Sequence, residues 1–152
     1  MTDKTLPTGP DPEAIAAYLL ATYPDTDVIE AMHAWFFSLD RERHFPSYAT
    51  IVTTDEHDDA SDLDRPGVFR LNIGVDKATF ERFVDPAATP DFTAIDVVLP
   101  HPVYAAQRYL AILNPSETTW RDTVIPLLAI AHDRLASQGA RHGVDAGDDI
   151  VG

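Results

Sequence analysis

Residues 67–75 read Gly-Val-Phe-Arg-Leu-Asn-Ile-Gly-Val, and their strict alternation constrains the fold more than any other stretch of the chain. Phe69, Leu71, Ile73 and Val75 fall on one face and Arg70 and Asn72 on the other, the period of two that an extended strand gives. A half-buried strand of this kind needs neighbours along its edges and an apolar layer against its Phe/Leu/Ile face. The rest of the chain has to supply a sheet and a cover for it.

Several stretches answer that demand. Residues 26–32 and 34–39, separated by His33, are rich in Val, Ile, Phe and Trp; with a polar hairpin loop at 40–44 and a further strand at 48–53 they read as antiparallel neighbours. Residues 95–99 form a short apolar run. Residues 107–113 alternate with apolar side chains on both faces, which points to an interior place in the sheet. Helices bracket these strands. Asp11-Pro12-Glu13 supplies a cap, a first-turn proline and an early acid, and Ile15, Tyr18 and Leu19 follow at helical spacing until Pro24 closes the helix. Asp76 caps a short helix over 77–84. The longest helical pattern, about 118–138, carries the stripe Trp120, Val124, Leu127, Leu128, Ala131 and Leu135, with Pro126 either kinking it or marking its start and Gly139 as a natural stop.

The expected fold is therefore α+β: an antiparallel sheet of five to six strands flanked by an N-terminal helix, a short middle helix and a long C-terminal helix. A length of 152 residues suits one domain. Residues 1–10 read as a flexible arm, 11–139 as a single α+β domain, and 140–152 as a mobile acidic tail.

Charge narrows the function. The chain has 25 acidic and 11 basic residues, a formal charge of -14, and this repels phosphate backbones and anionic lipid, so neither nucleic acid nor membrane is an expected partner. Such acidity also suits a surface kept hydrated at high salt. There is no cysteine, which removes disulfides, thiolate metal sites and cysteine nucleophiles. With no basic-then-apolar leader and no long apolar run, a soluble cytoplasmic protein, a monomer or weak homodimer, is expected.

The candidate site gathers around His101, which ends an apolar run, precedes a proline and is followed by Tyr104. Its ordinary pKa lies near neutrality, so it is the candidate acid, base or ligand; the plainer reading is a turn cap bonded to backbone. Arg70 and Asn72 share one strand face, and with Arg108 and His101 alongside they would suit a carboxylate or phosphate. The plainer reading of Arg70 is a structural salt bridge to one of the many Asp residues. The acidic loop 54–66 lacks the glycine and ligand spacing of a calcium loop and reads as a solvated charged segment, and His33 with His44 has no local ligand spacing; no metal or cofactor is expected. Glycine-rich nucleotide loops and the Gly-x-Ser-x-Gly elbow are absent.

Residues 64–75 (Asp-Arg-Pro-Gly-Val-Phe-Arg-Leu-Asn-Ile-Gly-Val), His101-Pro-Val-Tyr104 and Leu110-Ala-Ile-Leu-Asn-Pro115, preceded by Ala49-Thr-Ile-Val-Thr53, resemble a family of mostly small bacterial proteins known as domain of unknown function 6194. The resemblance covers roughly residues 11–138 and implies no established activity, substrate or cofactor. More distantly, the element order is similar to the double-wing fold of YjbR-type proteins, for which DNA binding has been proposed. The expected function is a soluble, non-enzymatic binding or accessory domain for a small anionic ligand or a protein partner, with Arg70, Asn72, His101, Tyr104 and Arg108 as binding residues. The alternative is a small enzyme using His101 as general acid or base with Arg70 or Arg108 holding an anionic substrate; double-wing DNA binding is opposed by the charge.

Overall fold

A computed structural model describes residues 6–39 and 47–148. The expected loop 40–44, including His44, lies outside the described residues, as do 1–5 and 149–152. The elements are α1 (Pro12–Thr22), β1 (Asp27–Ala31), β2 (Ala34–Ser38), β3 (Ala49–Val52), β4 (Arg70–Gly74), α2 (Lys77–Phe83), β5 (Val98–Pro100), β6 (Tyr109–Leu113), a single turn α3 (Glu117–Thr119) and α4 (Ile125–Asp148). One sheet of six strands runs in the order β1-β2-β3-β4-β6-β5, each pair antiparallel. This is the expected α+β class, and the strand with two apolar faces, β6, is interior as its pattern required.

The register sorts the side chains. Ile51 stands opposite Leu71, and Leu71 opposite Ile112, so one face of the sheet is a continuous apolar row. Against it pack Ile15 and Leu19 of α1 and the stripe Trp120, Val124, Leu127, Leu128, Ala131 and Leu135, all buried. The ring of Tyr18 meets Trp120 edge-on at 5.2 Å, joining the first helix to the last. Pro126 marks the start of α4. Before it, residues Trp120–Val124 form a wide π turn in which Ile125 N–H reaches back to the Trp120 carbonyl, and this wider spacing gives the proline ring room against the preceding turn. At its other end the helix passes through position 139 to Asp148, so the glycine there does not stop it.

The opposite face departs from expectation. The acidic composition of residues 54–66 predicts a solvated segment, yet Ser61 and Leu63 are buried, and Leu63 joins Ala34, Val52, Val68 and Leu113 in a second, smaller apolar cluster. Leu6 packs against that cluster, and the Thr8 carbonyl accepts from Glu117 N–H, so the described part of the N-terminal arm is docked on the domain. The segment 54–66 is thus a flap that covers the second face, and β4 is buried along its whole length rather than half-buried. Asn114 pins the arrangement: in the left-handed region at φ 43°, it accepts from Phe69 N–H and donates to the Gly67 carbonyl, tying the exit of β6 to the approach of β4.

No described helix is long and apolar enough to cross a membrane. Leu128 is fully enclosed between α4 and the sheet, so Leu128→Ala is expected to cost about 2–5 kcal/mol through lost burial and the cavity left behind, read as a lowered urea midpoint at unchanged slope.

Candidate functional site

The site starts from a charge placed where the sheet permits no escape. β4 lies between β3 and β6, so the side chain of Arg70 is committed to the face away from the helices, where it is 1% exposed. A buried guanidinium requires partners, and the flap brings them. Arg70 Nη1 and Nη2 donate to Asp58 Oδ1 and Oδ2 at 3.0 and 2.7 Å, a two-pronged ion pair. Nη1 also donates to Ser61 Oγ at 2.9 Å, and Nε donates to Asn72 Oδ1 at 3.0 Å. Asn72 Nδ2 passes the chain on to Thr50 Oγ1 at 2.8 Å on β3. Hydrogen bonds from Arg70 hold the Asp58 carboxyl below the usual range, against the opposing pull of burial. The structural salt bridge anticipated for Arg70 is therefore present, with Asp58 as its acid.

His101 follows β5 directly. Its own N–H donates to the Tyr109 carbonyl, which extends the pairing with β6 by one step. Pro102 then turns the chain back, and the N–H groups of Val103 and Tyr104 both donate to His101 Nδ1 at 2.9 Å. The imidazole caps its own turn through backbone N–H groups, the plainer of the two roles its sequence setting predicts. With 4% exposure it is nearly enclosed; burial first, and the Arg70 charge second, lower its pKa to about 4, with Asp58 pulling the other way. The ring is neutral at physiological pH. Because Nδ1 accepts two hydrogen bonds, the proton of the neutral ring sits on Nε2, which has no partner among the described residues.

These groups line one cavity of about 330 Å³. Arg70, Asn72, Asp58 and His101 give its polar wall, and Phe36, Val52, Val103 and Tyr104 its apolar one. The Tyr104 ring lies 5.0 Å from the His101 ring at its rim. On the far wall, Tyr109 is fixed by donating to the Ser47 carbonyl, and Gly74 has to be glycine because an added Cβ would sit 2.9 Å from the Tyr109 ring. Four of the five residues expected to converge do so: Arg70, Asn72, His101 and Tyr104. Arg108 does not. It precedes β6 in the left-handed region at φ 66° and lines a separate depression with Lys77 and Phe80.

Sequence reasoning missed Asp58, Thr50 and His57, which also line the cavity. The available signal was the pairing of an arginine on a buried strand with an acid-rich segment just before it. His33 meets Glu56 at 3.0 Å near the β1–β2 turn. Among the described residues no group of three His, Asp or Glu side chains is placed to hold a metal ion.

A six-stranded antiparallel sheet with helices on one face and, on the other, a polar cavity roofed by an acidic flap defines an α+β domain with a ligand-sized concavity built around a buried ion pair. The chain belongs to the family of unknown function DUF6194, which matches residues 10–143. No curated protein and no solved structure matches it, so the likeness to double-wing proteins gains no support.

Two outcomes are expected. Asp58→Ala, which leaves Arg70 buried and unpaired, costs about 3–5 kcal/mol in urea unfolding. The second concerns acid. His101 is depressed from 6.5 to about 4, so its contribution is complete above 6.5 and is lost as pH falls toward 4, while the unfolded chain takes up a proton that the fold refuses. The loss is about 3 kcal/mol, and Asp58 extends it in the same direction below the ordinary carboxylate range. In His101→Asn, whose side-chain oxygen can accept the same two N–H groups without titrating, urea midpoints across that window should be nearly flat. A slope equal to the wild type would assign the acid sensitivity to other groups.

Proposed function

We propose that this chain is a non-enzymatic binding domain for a small ligand held in the cavity between Arg70, Asn72, His101 and Tyr104. The observation that carries the reading is the state of His101. Its Nδ1 is occupied by two backbone N–H groups, it is neutral at physiological pH, and its Nε2–H is the group left to face the cavity. A general base needs a free lone pair and a general acid needs a proton it can release near neutrality; this ring offers neither. It offers a positioned hydrogen-bond donor in a concave, partly apolar pocket, which is what recognition of a small molecule uses.

An anionic ligand was the expectation from Arg70 and Arg108. Arg108 lines a different depression, and Arg70 is held at both prongs by Asp58, so an anion would need to displace the flap's carboxylate. A protein partner is the second reading, favoured by Val103 and Tyr104, each 54% exposed at the cavity mouth. A cytoplasmic monomer or weak homodimer fits the acidic, cysteine-free composition under either reading. The charge of -14 continues to oppose DNA.

The test is a thermal-shift screen of small carbonyl compounds, carboxylates, nucleotides and metal ions against the wild type, His101→Asn and Tyr104→Ala. A cavity ligand at one hundred times its Kd stabilises the wild type by about 2.7 kcal/mol, and that shift should shrink in both variants. A shift retained undiminished in both would place the ligand elsewhere. Silence across all classes, with a protein captured by the wild type and lost in Tyr104→Ala, would favour the partner reading.

A further inference from the structure

The hydrogen-bonding capacity left over in the cavity restricts what can fill it. Arg70 has five N–H donors, of which four are engaged: one on Asn72, two on Asp58 and one on Ser61. Asn72 has used its oxygen on Arg70 and one amide hydrogen on Thr50, which leaves the second hydrogen of Nδ2. Thr50 accepts that bond and keeps its own O–H. His101 presents Nε2–H. On the acceptor side, Asp58 Oδ1 already takes two bonds, from Arg70 and Ala60 N–H, and Oδ2 takes one from Arg70. His57 donates Nε2–H to the Met32 carbonyl. Arg70, Asn72 and His101, the buried polar side chains of the lining, each keep an unspent donor, while the hydroxyls of Ser47, Thr50, Tyr104 and Tyr109 can also accept.

Its charge is a separate restriction. Among the described lining residues the cation is Arg70 and the anion is Asp58, 2.7 Å apart, and they cancel. A carboxylate entering this space would meet no unneutralised cation, would lie beside the Asp58 carboxylate, and would do so in a chain carrying -14 overall. A neutral oxygen acceptor meets the donors without those penalties.

We propose that the ligand of this cavity is an uncharged molecule with a carbonyl oxygen, such as an amide, lactam or ketone, whose oxygen accepts from His101 Nε2–H and whose apolar body lies along Val52, Phe36 and Tyr104. The inference rests on the reading of the cavity as a ligand site and adds the chemical class. It assigns Asp58 a second role: by neutralising Arg70 internally, the flap selects against carboxylates that a bare guanidinium would attract.

Benzamide and benzoate have the same ring and nearly the same outline and differ in charge at neutral pH, so they make the test. Each is titrated into the full wild-type chain at neutral pH and followed by amide NMR shifts, with Val103 and Tyr104 N–H as reporters because both bond to His101. Benzamide is expected to move these resonances and to bind about tenfold tighter than benzoate, whose charge goes uncompensated. In Asp58→Asn the guanidinium is no longer neutralised and the order should reverse. Benzoate binding as tightly as benzamide in the wild type, at the same reporters, overturns the uncharged class and leaves the cavity reading in place. Shifts confined to other residues, or none with either probe, overturn the cavity reading and the inference with it. If Asp58→Asn does not fold, the wild-type comparison decides alone.

Discussion

The ion pair between Arg70 and Asp58 is the interaction on which the rest of the second face depends. A guanidinium at 1% exposure is unaffordable alone, and the sheet gives it no route to water. The acid that matches it comes from a segment without regular structure. This single contact therefore decides where residues 54–66 lie, and with them Ser61 and Leu63. It also bears on the neighbouring histidine: burial is the main cause of the neutral His101 ring, the Arg70 charge adds to it, and Asp58 opposes it.

The two faces of the sheet are held by different physics. On the helix side the cohesion is apolar contact between the rows Ile51, Leu71, Ile112 and the stripe of α4, non-directional and tolerant of small shifts. On the flap side it is a run of directional bonds from Thr50 through Asn72 and Arg70 to Asp58, and these fix angles as well as distances. A cavity with positioned donors arises more naturally on the second kind of surface. Close packing would have filled it on the first.

How much of this was legible in the chain follows from the same division. Period-two alternation at 69–75 and the i, i+4, i+7 stripe from Trp120 to Leu135 report burial against a regular layer, and both identified their elements correctly. The flap carries no period, because its order comes from side-chain bonds to residues distant in sequence; composition alone made it look solvated. His101 and Tyr104 could be placed together from Pro102 and a three-residue spacing. Arg108 could not. It precedes the strand, closes a 3₁₀ turn over Ala105–Gln107 and is itself in the left-handed region, and it has the parity of Leu110 and Ile112, whereas Asn72 stands opposite Ala111.

Asn114 closes a separate account. Its two bonds, to Phe69 and Gly67, span 45 and 47 residues, and the β4–β6 pairing it secures encloses α2 and the whole connector to β5. The β1–β2–β3 meander needs only neighbouring chain to form, whereas the concavity draws on residues from Phe36 to Tyr109 and has no walls until that long closure is made. The binding surface is accordingly indivisible. No hairpin, half-sheet or excised segment of this domain contains a reduced version of it, and a change that loosens the junction at Asn114 acts on recognition from outside the cavity.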